Sequence, residues 1–200
     1  MRHMRGLLFG VIGVAFVASA STASATLFTL NGVGSSGTFT ASCSTATTCS
    51  LTESAGGVSG TTTPAGTYAF TGINATLDSC SAATGCSTLV SGSLGTFTLN
   101  GTPFAISSLT LDGDGTNVDF IFSAPGLSGP NDLTLNAPVG TTFATLLANA
   151  GTAAGSVTAG VSSGEANTAP PNVPEPASLT LLGSALVGLG WLGRRRRTAS

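Results

Sequence analysis

Residues 109–122 read LTLDGDGTNVDFIF, two strand-like runs separated by a repeated Asp-Gly dipeptide. Glycine accepts a positive φ angle at little cost, and Asp-Gly is therefore a preferred turn dipeptide between paired strands. The flanking runs contain the β-branched and aromatic residues that are enriched in strands. The stretch predicts a β-hairpin with strands over 109–111 and 118–122 and a turn over 112–115.

The chain between residues 26 and 172 repeats this composition. Short runs rich in Thr, Val, Phe and Leu are interrupted about every eight to twelve residues by Gly, Asn, Asp, Ser or Pro. Strands are predicted over 27–30, 38–42, 67–77, 94–99, 104–111, 118–123, 132–135 and 156–161, and one helix over 142–150. Many short strands at this spacing predict an all-β fold, either an antiparallel β-sandwich or a partly closed barrel.

The distribution of charge separates this region from the two ends of the chain. All six arginines and the single histidine lie within residues 2–5 and 194–197, the chain has no lysine, and seven of the eight acidic residues lie between 26 and 172. Without Lys, Arg or His, this region lacks a Ser-His or Cys-His nucleophilic pair, an imidazole metal ligand and a basic patch. We therefore expect no enzymatic activity, no cofactor and no nucleic-acid partner, whereas a divalent cation or a neutral glycan stays compatible with the acidic surface.

The N-terminal segment has the parts of a secretory signal peptide. A positively charged start precedes a short apolar core, and Ala23 and Ala25 place small side chains at the two positions that signal peptidase reads. The pattern predicts a signal helix over residues 1–25 and a mature chain that begins at Thr26. A second possible cleavage site follows Ala20.

The C-terminus combines three features in a fixed order. Val173-Pro174-Glu175-Pro176 precedes an uncharged apolar run over 177–193, and four arginines follow it, Arg194, Arg195, Arg196 and Arg197. As a helix the apolar run is about 26 Å long, which suffices to span a thin bilayer. The arginines resist translocation, so we expect a transmembrane helix with its C-terminus in the cytoplasm. The two prolines keep the segment before the helix extended.

This order resembles the PEP-CTERM sorting tail of Gram-negative bacteria over residues 173–197. The resemblance implies recognition by an exosortase, a membrane protease and transpeptidase that cuts near the Pro-Glu-Pro and releases or transfers the exported part. Val173, Pro174, Glu175 and Pro176 would be the recognition residues. The family also implies a final location at the cell surface or outside the cell, with a structural or adhesive role in exopolysaccharide or biofilm. An ordinary single-pass anchor with a proline-rich stalk is the alternative.

These segments predict four parts in the chain. The signal peptide (1–25) is followed by an all-β extracellular domain (26–150), a flexible stalk (151–172) and the sorting tail (173–197). The stalk is predicted because Ala, Gly, Ser and Thr dominate this part of the sequence, which then runs into consecutive prolines. A final strand over 156–161 would move the start of the stalk.

The four cysteines occur as two pairs with the same spacing, Cys43 with Cys49 and Cys80 with Cys86. In an exported chain an even number of cysteines predicts disulfides, and we favour the two local pairs among the three possible connectivities. Each local bridge would pin a turn. A zinc site would need all four thiolates to converge in a reducing compartment, and five intervening residues exceed the usual ligand spacing.

The hairpin of residues 109–122 also carries the candidate metal ligands Asp112, Asp114 and Asp119. Their spacing resembles the start of a calcium-binding loop, but a helical calcium loop needs glycine at its sixth position and a carboxylate at its twelfth. Here these positions hold Asn117 and Ser123. The sequence therefore favours a plain β-turn, with a weak calcium site as the alternative.

A glycan-binding module is an alternative function alongside calcium binding, and a hydrolase and an ice-binding surface are weaker ones. Tyr68 is the one tyrosine of the chain, so few aromatic residues are available to stack on the sugar in a glycan-hydrolysing site. A hydrolase would need two of the scattered carboxylates within roughly 5 to 10 Å of each other. The Thr-x-Thr triplets at 38–40 and 96–98 could begin an ice-binding array, but such an array needs many registered ranks.

Overall fold

The structure, a computed structural model, describes residues 25–113, 117–129, 131–169 and 183–184. The described chain forms fourteen β-strands, one short α-helix and one short 3₁₀ helix, Ala153–Gly155. In chain order these elements are β1 (Thr26–Ser36), β2 (Phe39–Thr45), β3 (Thr48–Glu53), β4 (Val58–Thr63), β5 (Gly66–Thr71), β6 (Asn74–Asp78), β7 (Thr88–Ser93), β8 (Thr96–Leu99), β9 (Thr102–Ala105), β10 (Ser108–Asp112), β11 (Asp119–Ser123), β12 (Asn131–Leu135), α1 (Phe143–Ala148), β13 (Ser156–Ala159) and β14 (Val161–Thr168).

The predicted signal helix and transmembrane helix lie outside the described residues, apart from Ala25, Gly183 and Ser184. Among the described residues, no helix has the length and apolar character that crossing a bilayer requires.

The strands pair antiparallel in two sheets. The larger sheet has nine strands in the order β10-β11-β12-β14-β1-β4-β5-β8-β9, and the smaller has five in the order β13-β2-β3-β6-β7. Along most strands, buried apolar residues alternate with more exposed polar ones, as in β2, where Phe39, Ala41 and Cys43 are buried and Thr40 and Ser42 lie between them. This period of two is what a strand with one buried face requires.

The nine-stranded sheet is strongly curved. β5 and β11 are separated by four strands, which in a flat sheet would place them about 24 Å apart. The ring centroids of Phe70 on β5 and Phe120 on β11 are only 5.6 Å apart. The sheet therefore curls around its own apolar face and forms a half-barrel.

The two edges of this sheet are neighbours in sequence. Ile106 and Ser107 connect β9 to β10, and their backbone N–H groups donate to the carbonyls of Gly95 (3.1 Å) and Ser123 (2.8 Å). The smaller sheet packs on the concave side, because Phe39 on β2 lies 5.7 Å from Phe70 and 5.0 Å from Phe120 between ring centroids. The fold thus combines the two predicted architectures, a partly closed barrel with a second sheet packed against it.

The predicted hairpin is confirmed. β10 and β11 pair in a register that runs from Ser108 opposite Ser123 to Asp112 opposite Asp119. The predicted helix is found as the shorter α1, where Thr142 and Thr145 cap the N-terminus by accepting each other's backbone N–H through their hydroxyls, at 3.2 and 2.9 Å.

The predicted stalk over 151–172 is wrong over most of its length. Residues 156–168 form β13 and β14, and β14 pairs with β1 on one side and β12 on the other. Val161 and Ala166 of β14 are buried in the core. A small, polar strand is compatible with the interior here because pairing on both sides satisfies its backbone groups. The all-β domain therefore extends to Thr168, and residues 170–172 lie outside the described part.

Candidate functional site

Asp112 and Asp119 lie opposite each other at the end of the β10–β11 ladder, next to the turn. The Asp112 Oδ1 atom accepts a hydrogen bond from the backbone N–H of Gly113 at 2.7 Å, as in a tight turn. The loop then contacts the start of α1, because the N–H of Phe143 donates to the carbonyl of Asn117 at 3.2 Å. Two of the three predicted calcium ligands are thus brought together, and Asp114 lies outside the described residues.

Three of the other carboxylates of the described chain accept hydrogen bonds from nearby backbone or hydroxyl groups. Asp132 lies opposite Glu165 on β12 and β14 and accepts the Glu165 backbone N–H at 2.9 Å. Glu53 accepts the backbone N–H of Gly72, and Asp78 accepts the Thr48 hydroxyl at 3.4 Å. These bonds hold Asp132, Glu53 and Asp78 to neighbouring strands or turns.

Two open grooves lie on the outer side of the nine-stranded sheet. One, of about 300 Å³, is lined by residues of β1, β4 and β14, and the other, of about 470 Å³, by residues of β1, β4, β5 and β8. Ser, Thr, Gly and Asn dominate their walls, and no carboxylate of the described chain lines either groove. They therefore offer hydroxyl and amide hydrogen bonds to a ligand but no acid–base pair.

Both predicted disulfides are present as the local pairs, Cys43–Cys49 and Cys80–Cys86. The first joins directly opposite residues of β2 and β3, and the second closes the loop after β6. All four cysteines are buried in the core. The sequence did not predict that the two bridges meet: the sulfur atoms of Cys49, Cys80 and Cys86 all lie within 4.8 Å of one another.

The outer face of the five-stranded sheet carries two ranks of uncharged polar side chains. In each rank one residue from every strand stands opposite the next. The ranks are Thr158-Thr40-Thr52-Asn74-Ser93 and Ser156-Ser42-Ser50-Thr76-Ser91. In the sequence, each of the five strands shows two polar residues that are two positions apart. Which of these residues lie opposite one another becomes apparent only from the strand order and register. The Thr-x-Thr triplets at 38–40 and 96–98 do not form a common array, since Thr40 lies on the smaller sheet and Thr96 and Thr98 on the larger.

The two ends of the folded domain lie side by side. Thr26, the first residue of β1, is paired with Thr168, the last residue of β14. The Thr26 backbone N–H donates to the Thr168 hydroxyl at 3.2 Å. Ala25, the predicted last residue of the signal peptide, is exposed directly before β1. Cleavage after Ala25 would leave every strand of the described domain intact.

The segment that follows the domain matches a known sorting motif. Residues 172–197 match the family model of the PEP-CTERM protein-sorting motif. The chain carries a PEP-CTERM sorting motif. A PEP-CTERM motif implies export and sorting that depends on a membrane anchor in Gram-negative bacteria, with processing by an exosortase. No curated protein and no solved structure matches the chain.

The PEP-CTERM match contains the predicted recognition residues Val173, Pro174, Glu175 and Pro176 and the arginines 194–197. These residues lie outside the described part of the chain, as does Ala23 of the predicted signal-peptide site. Their individual roles stay predictions. The folded domain ends at Thr168, a few residues before the motif begins, so the motif does not overlap any described strand.

Proposed function

We propose that this chain is exported, is cut by an exosortase-type enzyme near Val173-Pro174-Glu175-Pro176, and serves outside the cell as a structural or adhesive component of the extracellular matrix. The PEP-CTERM motif at residues 172–197 carries the sorting part of this proposal. The matrix role is an extension of it and rests on the character of the exported domain.

The position of the domain between its two processing sites supports this route. β1 begins directly after the predicted signal-peptide site, and β14 ends just before the motif. Because Thr26 and Thr168 are paired, both targeting segments join the domain at one end of the same strand pair. Two cuts at that end would release a domain that keeps its entire core, since the buried apolar residues of the described chain lie between Leu30 and Ala166.

The surface of the domain supports a structural role over a catalytic one. The region between the targeting segments has acidic residues and no Lys, Arg or His. The outer face of the smaller sheet presents two ranks of uncharged polar side chains, and the grooves on the larger sheet are lined mainly by Ser, Thr, Gly and Asn. Such surfaces form hydrogen bonds with polysaccharide hydroxyl groups, and polysaccharide is the matrix partner that we propose.

The sorting step is tested by expressing the full chain in a Gram-negative host with and without an exosortase. We expect the product outside the cell to begin at Thr26 and to end near Val173, as measured by intact mass, only when the exosortase is present. The double variant Glu175→Ala/Pro176→Ala should stay in the membrane fraction with its tail. Glu165→Ala removes an exposed carboxylate from β14 and serves as the matched control, which should be processed normally.

A product that keeps its tail in both hosts would make the tail an ordinary membrane anchor and contradict the sorting proposal. The matrix role has a separate test, in which the processed domain is incubated with the exopolysaccharide of the producing strain and sedimented. Co-sedimentation that neutral polysaccharide competes away supports the role. A domain that stays in the supernatant contradicts the matrix role and leaves the sorting proposal unaffected.

Calcium binding is a second candidate, favoured by the opposed carboxylates of Asp112 and Asp119. Like charges directly opposite each other destabilise an antiparallel pair, and a bound cation would offset this repulsion. On this hypothesis calcium raises the melting temperature of the processed domain, and Asp119→Asn removes the increase. Asp78→Asn, a carboxylate on the other sheet, is the control. If calcium does not change the melting temperature, the calcium hypothesis is wrong and the β10–β11 hairpin has a plain turn.

A further inference from the structure

The two disulfides form one sulfur cluster in the core. Cys49, Cys80 and Cys86 have their sulfur atoms within 4.8 Å of one another, and the Cys43 sulfur is bonded to that of Cys49. The pairing of β3 with β6, in which Cys49 lies opposite Leu77, brings the two bridges together. In a tetrahedral site with zinc–sulfur bonds of about 2.3 Å, neighbouring sulfurs are about 3.8 Å apart. Three of the four sulfurs thus lie within about 1 Å of that spacing, and the fourth, that of Cys43, is one bond away from Cys49.

We infer that the four cysteines form a redox-gated site for a soft divalent cation of the zinc class, with two disulfides in the oxidised state and four thiolate ligands in the reduced state. The inference does not depend on the proposed matrix role. The four-thiolate state forms only where a reductant is present, so under oxidising conditions outside the cell the site stays in its disulfide form. Four cysteine thiolates are a common ligand set of structural zinc sites, and thiolates select soft cations over calcium or magnesium. The wide spacing within each pair, which argued against zinc from the sequence, matters less once the fold brings both pairs together.

The backbone holds the cysteines in place independently of the S–S bonds. Cys43 and Cys49 face each other across the β2–β3 ladder. The Cys80 N–H donates to the Thr47 carbonyl at 3.1 Å. Cys86 exchanges two backbone hydrogen bonds with Leu111 of β10, at 2.7 and 2.9 Å. Reduction would therefore free the sulfur atoms to rotate about their side-chain bonds while the four Cα positions stay near one another.

A dithiol reductant supplies the electrons that convert the two disulfides to thiols. Each disulfide takes two electrons and two protons from one dithiol, which becomes a cyclic disulfide, and yields two thiols. Binding of the divalent cation then releases the thiol protons as the sulfur atoms become ligands. Reduction must come first because a disulfide offers no thiolate. All four residues are at most 7% exposed, so the reductant must reach a buried site.

The test uses the exported product, reduced with a dithiol under oxygen-free conditions and freed of excess reductant. Cobalt(II) is added as the probe, because tetrahedral thiolate coordination gives it characteristic absorption bands. We expect these bands to saturate at one equivalent, to disappear when zinc is added, and to be missing from the unreduced protein. Zinc should also protect all four thiols from alkylation, as counted by intact mass.

Variants separate the four-cysteine site from weaker binding at a single pair. Cys80→Ser/Cys86→Ser and Cys43→Ser/Cys49→Ser should each lose the thiolate bands, whereas Ser87→Ala, an exposed change beside Cys86, should keep them. Circular dichroism with and without metal records whether each reduced variant is folded. If the reduced wild-type chain gives no bands, whether folded or unfolded, the inference is wrong. It is equally wrong if either double variant binds cobalt as the wild type does.

Discussion

Phe70 and Phe120 are in edge-to-face contact, with ring centroids 5.6 Å apart, although four strands separate β5 from β11 in the sheet to which both belong. Phe70 also contacts Phe39 from the opposite sheet and Phe97 and Phe122 from its own. The Phe70 side chain thus contacts both sheets, and within the large sheet it contacts both the neighbouring strand β8 and the distant strand β11. The curvature of the large sheet and the packing of the small sheet depend on the same aromatic cluster.

Replacing Phe70 by alanine should therefore be among the most destabilising single changes in the domain. Removing a fully buried phenylalanine typically costs about 3 to 5 kcal/mol, from lost burial and the cavity that remains. We expect urea denaturation to report a loss in this range. Phe104→Ala is the matched control, because Phe104 is only partly buried and contacts Phe97 at its rim. Equal losses for the two variants would show that Phe70 has no special place in the core.

The sequence predicts the β10–β11 hairpin but not the curvature of the large sheet. The hairpin follows from local signals, namely alternating apolar residues on either side of an Asp-Gly turn. The curvature depends on which distant strands become neighbours, and no local pattern specifies that Phe70 meets Phe120. The sequence therefore predicts the all-β class and leaves the choice between sandwich and barrel open.

A truncation tests the extension of the domain beyond residue 150. A chain that ends after Gly155 lacks the edge strand β13 of the smaller sheet and the strand β14 of the larger sheet. Without β14, its partners β1 and β12 would lose their hydrogen-bonded neighbour inside the nine-stranded sheet. We expect such a chain to show no cooperative thermal unfolding by circular dichroism. A chain that ends after Ala169 should melt at the same temperature as the processed product. Cooperative melting of the shorter chain would restore the interpretation of residues 151–172 as a stalk.

β14 has the composition of a linker for a physical reason. Its residues, VSSGEANT, are small and mostly polar, which resembles a flexible segment more than a buried strand. Gly164 explains part of this composition, because a Cβ there would lie 2.5 Å from the Asp132 carbonyl oxygen on β12. Close backbone approach in the middle of a sheet thus selects a residue that sequence analysis associates with loops. β7 (TLVSGS) and β4 (VSGTTT) escaped prediction through similar Ser- and Gly-rich compositions.

Each disulfide should stabilise the domain only modestly, because it closes a short loop. Each closes a loop with a sequence separation of 6, for which the chain-entropy model gives about 2 kcal/mol. The double variant Cys43→Ala/Cys49→Ala should lose about this much in urea denaturation, with Ala46→Ser in the same loop as the control. Intact mass after alkylation without reductant should reveal no free thiols in the wild type. A change above about 4 kcal/mol would mean that the sulfur cluster also supports the core by packing.

Ionisation of Tyr68 should make the folded domain less stable at alkaline pH. Burial raises the pKa of Tyr68 from its ordinary value of 10.0 to about 12, partly opposed by a hydrogen bond with Ser35. Its hydroxyl also donates to the Asn31 carbonyl at 3.2 Å. Between pH 10 and about 12 the unfolded chain releases this proton while the folded domain retains it, so stability is complete below pH 10 and falls as the pH rises through this window.

Because Tyr68 is the one tyrosine of the chain, the phenolate absorbance reports it without interference. We expect the absorbance of the folded domain to titrate near pH 12, and that of the urea-unfolded chain near pH 10. Tyr68→Phe removes the hydroxyl, which should cost about 1 kcal/mol at neutral pH through the lost bond to Asn31. The same variant should abolish the loss of stability between pH 10 and 12, since phenylalanine has no proton to release. If the folded domain titrates near pH 10, the Tyr68 ring is exposed to solvent and does not belong to the buried aromatic cluster around Phe70.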